Sequence, residues 1–228
     1  MKKNFHYIVR IGFIFAASML FFSCASLNFG KKAYDYEMVH IQDKSDYLVT
    51  DISYPVFNKF PELNKRIKNM VESHWNAYKA SAKSDWQEIN SLNTKNGRKS
   101  RLPAFEYSVS ADVSGNKKYV SVLITTYIFN GGAHGNYVLN SLNYDVEKQK
   151  FCDICEVSNL SYTQLSAICR RELKNKLKIT QMIDDGTAPL PGNYEVFMTE
   201  DNFVTVFFEP YSVAPYSDGI QKVKIQFK

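Results

Sequence analysis

Residues 103–147 read PAFEYSVSADVSGNKKYVSVLITTYIFNGGAHGNYVLNSLNYDVE, and this stretch decides the fold class. Three runs, 103–113, 118–129 and 137–147, are rich in Val, Ile, Tyr, Phe and Thr, the residues that suit a pleated, half-buried surface. Ser114-Gly115-Asn116-Lys117 and residues 130–136 separate them with turn-forming residues. Connections this short join neighbouring antiparallel strands, whereas parallel strands need a long crossover. The stretch is therefore a three-stranded antiparallel meander.

Toward the N-terminus, residues 36–41 and 47–54 alternate apolar and polar, which predicts two more half-buried strands. Pro61 then stands where a helix can begin, because its missing N–H would be unpaired there anyway. Leu63, Ile67, Met70, Val71, Trp75, Tyr78, Ala82, Trp86 and Ile89 recur at steps of three and four, predicting one long amphipathic helix over about 62–91 with its stripe on a sheet. Residues 92–102 are polar and basic and read as a loop. Lys95, Arg98, Lys99 and Arg101 there suit either a solvated face or contact with an anionic wall polymer.

Toward the C-terminus, Ser161 and Gln164 form a capping box opening a helix over about 162–178. Leu165, Ile168, Cys169, Leu173 and Leu177 make its apolar face. Strands at 193–199, 203–209 and 222–227 follow, the first two joined by a turn at Glu200-Asp201-Asn202. The expected class is α+β: two sheet-plus-helix units with mainly antiparallel strands, at about 34–147 and 148–228.

The N-terminus reads as an export signal. Lys2, Lys3 and Arg10 precede the unbroken apolar run 11–22, too short to span a bilayer but of signal-peptide length. Ser23-Cys24-Ala25-Ser26 follows, so residues 1–23 are expected to be removed and Cys24 to carry lipid, with 25–33 as a tether. Phe21 and Phe22 depart from the usual residues of a lipobox, and an ordinary signal peptide is the other reading. Removing residues 1–23 takes three of the 28 basic residues, leaving 25 against 23 acidic, a net charge of +2. That balance makes no case for nucleic acid as a partner.

Cys152, Cys155 and Cys169 remain. Cys152-x-x-Cys155 has no second ligand pair for zinc and stands several residues ahead of the predicted helix, so one disulfide or buried thiols are expected. No metal site and no cofactor are expected. The templates for enzymes are missing as well: no G-x-S-x-G elbow, no H-E-x-x-H, no glycine loop leading from a strand into a helix. Ser114-x-x-Lys117 lies in a hairpin turn rather than at the start of a buried helix.

Two segments could carry function. Phe129-Asn130-Gly131-Gly132-Ala133-His134-Gly135-Asn136 packs three glycines and a histidine into one turn. His134 there is either part of a ligand-binding or catalytic loop or a strut bracing the turn. Phe208-Glu209-Pro210-Tyr211-Ser212-Val213-Ala214-Pro215-Tyr216-Ser217-Asp218-Gly219 is a stiff loop carrying aromatics. Tyr211 and Tyr216 either face outward for recognition or fold back as core.

The two segments, in this order, resemble the paired signatures of an exported module. It is found in RsiV-type lysozyme-sensing anti-sigma factors and as the accessory N-terminal region of PdaC-type peptidoglycan deacetylases. The resemblance covers about 34–228. It implies a two-part α+β fold, a first PdaC-like half and a second RsiV-like half, and no catalysis within the module. It implies ligand contact through His134, Asn136, Tyr211, Pro215 and Tyr216. The chain departs from the anti-sigma branch in lacking a sigma-binding segment and a spanning helix. The resulting expectation is a lipid-anchored, exported, non-catalytic binding protein of the bacterial cell envelope that recognises a lysozyme-like protein or peptidoglycan. The alternative is an envelope hydrolase acting on peptidoglycan with His134 as base.

Overall fold

The computed structural model describes residues 34–97, 102–177 and 181–227. The expected export signal, Cys24, the expected tether, Arg98, Lys99, Arg101 and Lys178 lie outside the described residues.

The first sheet has six strands in sequence order: β1 (Tyr36–Lys44), β2 (Leu48–Phe57), β3 (Phe105–Gly115), β4 (Tyr119–Phe129), β5 (Asn136–Asp145) and β6 (Lys150–Phe151). The meander β3–β4–β5 is antiparallel, with Val109 opposite Thr126 and Thr125 opposite Leu139. One pairing is parallel: β2 runs alongside β3, Leu48 opposite Phe105. The helix α1 (Pro61–Lys95) connects those two strands, a crossover long enough to return the chain to the same end of the sheet.

Helix α1 begins with Pro61 in its first turn and buries Leu63, Ile67, Val71, Ala82 and Trp86. These meet Ile52, Tyr54 and Phe57 of β2, Phe105 and Tyr107 of β3, and Val120, Val122 and Ile124 of β4. Each fully buried aliphatic side chain removes enough surface from water to stabilise the fold by roughly 1.5–3 kcal/mol. The indole of Trp86 donates to the Pro103 carbonyl at 2.9 Å, which fixes the end of the loop returning to β3.

Both faces of the sheet are covered, and β4 shows why. Its even-numbered residues join the α1 core, while Tyr119, Ser121 and Leu123 point the other way. On that second face lies a three-stranded antiparallel sheet of β7 (Phe197–Thr199), β8 (Phe203–Phe208) and β9 (Gln221–Gln226). Leu123 and Leu139 pack there against Met198 and Phe207. Helices α2 (Ile154–Ser158), α3 (Tyr162–Lys176) and α4 (Gln181–Gly186) complete a second core around Leu165, Cys169, Leu173, Ile183, Val204, Val206 and Val223.

One edge of β7 pairs with β8. Side chains of the first sheet satisfy the other edge. Ser141 Oγ accepts from Phe197 N and donates to Glu195 O, both at 3.0 Å. The Asn143 amide donates to Phe197 O at 3.0 Å. Thr199 N donates to Ser121 Oγ at 2.8 Å, and Ser114 Oγ donates to Thr199 O at 2.8 Å. Ser121 in turn donates to Asn143 Oδ1 at 2.5 Å. Four polar side chains, spread over three strands, thus do what a neighbouring strand would do, and no buried edge is left open.

Several expectations need correction. The expected strand 193–199 is a 3-10 turn at Pro191–Tyr194 followed by only three residues of strand, because Pro191 opens the turn and withholds an N–H from any ladder. The long helix runs four residues further than 91, and the helix at 162 ends at Lys176, with Leu177 already extended. Cys155 does not stand ahead of the helical region: it lies within α2, a single turn capped by a box in which Asp153 and Glu156 satisfy each other's backbone N–H. Cys152, Cys155 and Cys169 are free thiols, so the disulfide does not describe them; Cys169 is buried, and Cys152 and Cys155 are half-buried.

Candidate functional site

The glycine turn and the Pro-Tyr loop meet. The turn hangs between β4 and β5 and is built from residues that allow close approach. Gly131 has φ of +77°, and a Cβ there would also meet Leu102. Gly135 has no such dihedral. It is needed because the Tyr127 ring lies against it, where a Cβ would stand 2.3 Å from two ring carbons. Asn130 accepts a hydrogen bond from the Tyr78 hydroxyl of α1, tying the start of the turn to the helix.

The Pro-Tyr loop leaves β8 after Phe208 and is pinned at its centre. Val213 and Ala214 are buried, and Val213 joins the second core. Tyr211 N donates to Ala214 O at 2.9 Å, closing the first bend. Glu209 Oε1 accepts from Leu139 N at 2.5 Å, fastening the loop to the edge of β5. Gly186, at the end of α4, lies under it: a Cβ there would stand 2.0 Å from Ser212 O and 2.7 Å from Val213 Cγ1. Gly186→Ala is therefore expected to push the loop outward and lower stability by about 1–3 kcal/mol, the usual range for overpacking. Gly192→Ala, with nothing within 4 Å, is the neutral control in the same melting experiment.

With both segments fixed, His134 stacks on Tyr216 with ring centroids 3.8 Å apart and planes 21° from parallel. The Tyr216 hydroxyl donates to Gly135 O at 2.5 Å. His134 Nδ1 lies 2.9 Å from the same carbonyl, which can only accept, so Nδ1 carries the proton and Nε2 is left toward solvent. Desolvation raises the Tyr216 phenol above its ordinary pKa, and Tyr137, Tyr127 and Tyr211 add to the rise. Tyr216 is thus held as a neutral donor.

Tyr211 sits 5.8 Å from Tyr216, ring to ring, and is 59% exposed. Its φ is +72°, in the left-handed region that bulky residues rarely occupy. Pro215, with φ −56° and ψ 159°, sets the direction in which Tyr216 enters the stack. Asn136 opens β5 opposite Ile128 and is exposed at the rim beside Gly135. His134, Tyr211, Pro215 and Tyr216 are thus brought together, and Asn136 borders them.

His134 is braced by a backbone carbonyl, and Glu209 is occupied by Leu139 N. No group of three His, Cys, Asp or Glu residues is placed to hold a metal ion among the described residues. Burial pushes the Cys152 and Cys169 thiols up to about 12, with Glu156 adding to the first and Glu172 to the second. They are protonated thiols, poor as nucleophiles and as metal ligands.

Residues 41–137 match the family described as Deacetylase PdaC, and residues 156–228 match the family described as Protein of unknown function (DUF3298). The two matches lie one after the other along the chain. The peptidoglycan-N-acetylmuramic acid deacetylase PdaC of Bacillus subtilis (strain 168) is 28% identical over 185 residues, covering 77% of this chain and 36% of that protein. The chain therefore spans about a third of that relative's length. A DUF3298-family protein of Bacteroides fragilis NCTC 9343 shares the fold with a TM-score of 0.56 and 18% identity, covering 86% of this chain and 92% of that one. A second, from Pseudomonas aeruginosa PAO1, gives a TM-score of 0.53 and 17% identity, covering 85% and 90%.

The aromatic cluster straddles the pair. The glycine turn falls in the PdaC match and the Pro-Tyr loop in the DUF3298 match. Two further members, Tyr127 and Tyr137, come from β4 and β5 of the PdaC side, opposite one another in register with ring centroids 5.1 Å apart. The sequence reading missed them as site residues because in a strand they look like ordinary half-buried aromatics. Their place at the strand ends flanking the glycine turn is the signal that marks them out.

Proposed function

We propose that this chain is a non-catalytic binding protein of the bacterial cell envelope, and that its ligand is cell-wall glycan. The observation that carries the proposal is the cluster of Tyr211, Tyr216, Tyr137, Tyr127 and His134, with Tyr211 held outward in a strained backbone conformation. Rigid aromatic rings with polar tips supply contact area at little entropic cost and suit sugar rings as they suit protein partners. The peptidoglycan-directed name of the Bacillus relative supports the choice of ligand.

A lysozyme-like protein is the other occupant that such a surface fits. Sedimentation of the full chain with purified peptidoglycan, alongside capture on immobilised lysozyme, decides between them. Retention by peptidoglycan alone is the expected result. Retention by lysozyme alone replaces the ligand, and no retention on either by folded protein sinks the proposal. The hydrolase reading predicts released muropeptides that vanish with His134→Ala; none are expected.

Anchoring is a separate part of the proposal. Cys24→Ser is expected to move the protein from the membrane fraction to the soluble fraction and to abolish incorporation of labelled fatty acid, since stable attachment rests on the acyl chains. A variant that stayed with the membrane would show that something other than lipid holds it.

A further inference from the structure

At the β5–β6 edge of the first sheet, an open cleft of about 500 Å³ wraps from one face to the other. It shares no residue with the aromatic cluster. Helix α1 contributes Arg66 to its lining and the approach to β7 contributes Glu195, with Phe151, Asp153 and Tyr162 among the other lining residues. Ser141 and Asn143 also line it, but their polar atoms are engaged with β7 and with each other. Asp153 is occupied in part, since Oδ1 accepts from Glu156 N at 2.8 Å.

Arg66 and Glu195 differ from these. Both are exposed, and neither side chain has a hydrogen-bond or ion-pair partner among the described residues. The uncommitted polar groups of the cleft are therefore the Arg66 guanidinium, the Glu195 carboxylate and the second carboxylate oxygen of Asp153, not the neutral amides and hydroxyls that would pair with an uncharged sugar. A guanidinium binds a carboxylate with paired N–H donors, and a carboxylate takes an ammonium. The apolar parts of Phe151 and Tyr162 suit aliphatic stems between two such charges, and the volume is that of a small-molecule site.

We propose that this cleft binds a short peptide bearing both a free amine and a free carboxylate, with Arg66 on the carboxylate and Glu195 on the amine. The site is independent of the glycan reading above, because its residues and its ligand chemistry are different.

The test titrates the full chain with a four-residue peptide that has an acetylated N-terminus, one lysine and a free C-terminus. Two blocked forms serve as controls, one with the lysine acetylated and one with the C-terminus amidated. Saturable binding of the parent peptide is expected, each blocked form binding about tenfold more weakly, the loss of one charge-assisted contact. Arg66→Ala should bind the parent and the amidated peptide equally. Glu195→Gln should bind the parent and the acetyl-lysine peptide equally. Both positions are exposed, and an unchanged melting temperature confirms that the variants fold. Failure of the parent to saturate by concentrations on the order of 10 mM, equal binding of all three peptides, or discrimination that survives in both variants would overturn the proposal. Peptidoglycan retention through the aromatic cluster is unaffected by any of these outcomes.

Discussion

Asn143→Ala is expected to lower the unfolding free energy by about 3 kcal/mol, among the largest losses for any single polar side chain here. Asn143 is 4% exposed. Its amide donates to Phe197 O and Ser141 Oγ, and its Oδ1 accepts from Ser121. Truncation leaves the Phe197 carbonyl without its donor and the Ser121 hydroxyl without its acceptor, both in the buried seam between the sheets. Each such orphan costs about 1–3 kcal/mol, more than the net value of the hydrogen bond removed. Ser121→Ala should fall in the same range, because Thr199 N then loses its acceptor. The double variant should lose less than the two single losses together, as members of one network do. Denaturant unfolding of the three variants measures all of this. A loss below about 1 kcal/mol for Asn143→Ala would mean that water reaches the seam and replaces the side chain.

The second large effect concerns binding. Tyr211→Gly is expected to weaken retention on the ligand by about thirtyfold or more, the scale of an aromatic anchor at an interface. The same change should leave stability unchanged or raise it. The ring is mostly exposed, so little burial is lost, and glycine adopts the left-handed conformation at Tyr211 without the penalty of about 1 kcal/mol that a side chain carries there. Tyr211→Ala should bind as poorly as the glycine variant but melt below it, since alanine keeps the strain. Tyr216→Ala is less informative, because it also removes the His134 stack and the bond to Gly135 O. If Tyr211→Gly melts early and binds normally, the ring is a packing element and the binding surface lies elsewhere.

Much of the architecture was legible in the sequence because local signals agreed with burial. The apolar stripe from Leu63 to Trp86 predicted α1 and the sheet beneath it. Ser161 and Gln164 form the capping box that the sequence predicts, with Gln164 N donating to Ser161 Oγ at 3.3 Å. The elements that escaped are short. Helix α2 is five residues long, below the length at which an apolar period can be read, although Asp153-x-x-Glu156 is itself a capping signal. The parallel pairing of β2 with β3 was missed because strand partners far apart in sequence leave no local trace. The site divides the same way. The glycine turn and the Pro-Tyr loop each stand out by composition. Their meeting, with His134 and Tyr216 stacked although 81 residues lie between them, is a product of tertiary packing alone.

The row of Ser114, Ser121, Ser141 and Asn143 bears on how such proteins can be recombined. The two sheets are joined here by a strand of the second, β7, whose missing neighbour is assembled from side chains of the first. A shuffling event that gave the first sheet a new C-terminal companion would strand those hydroxyls and that amide against whatever arrived. Transplanting the second sheet with its helices alone would expose a strand edge ready to pair with its own copies. Productive exchange must therefore carry four scattered codons of the first sheet along with the second sheet, so the true cut points for a chimaera run across the meander rather than through the linker after β6.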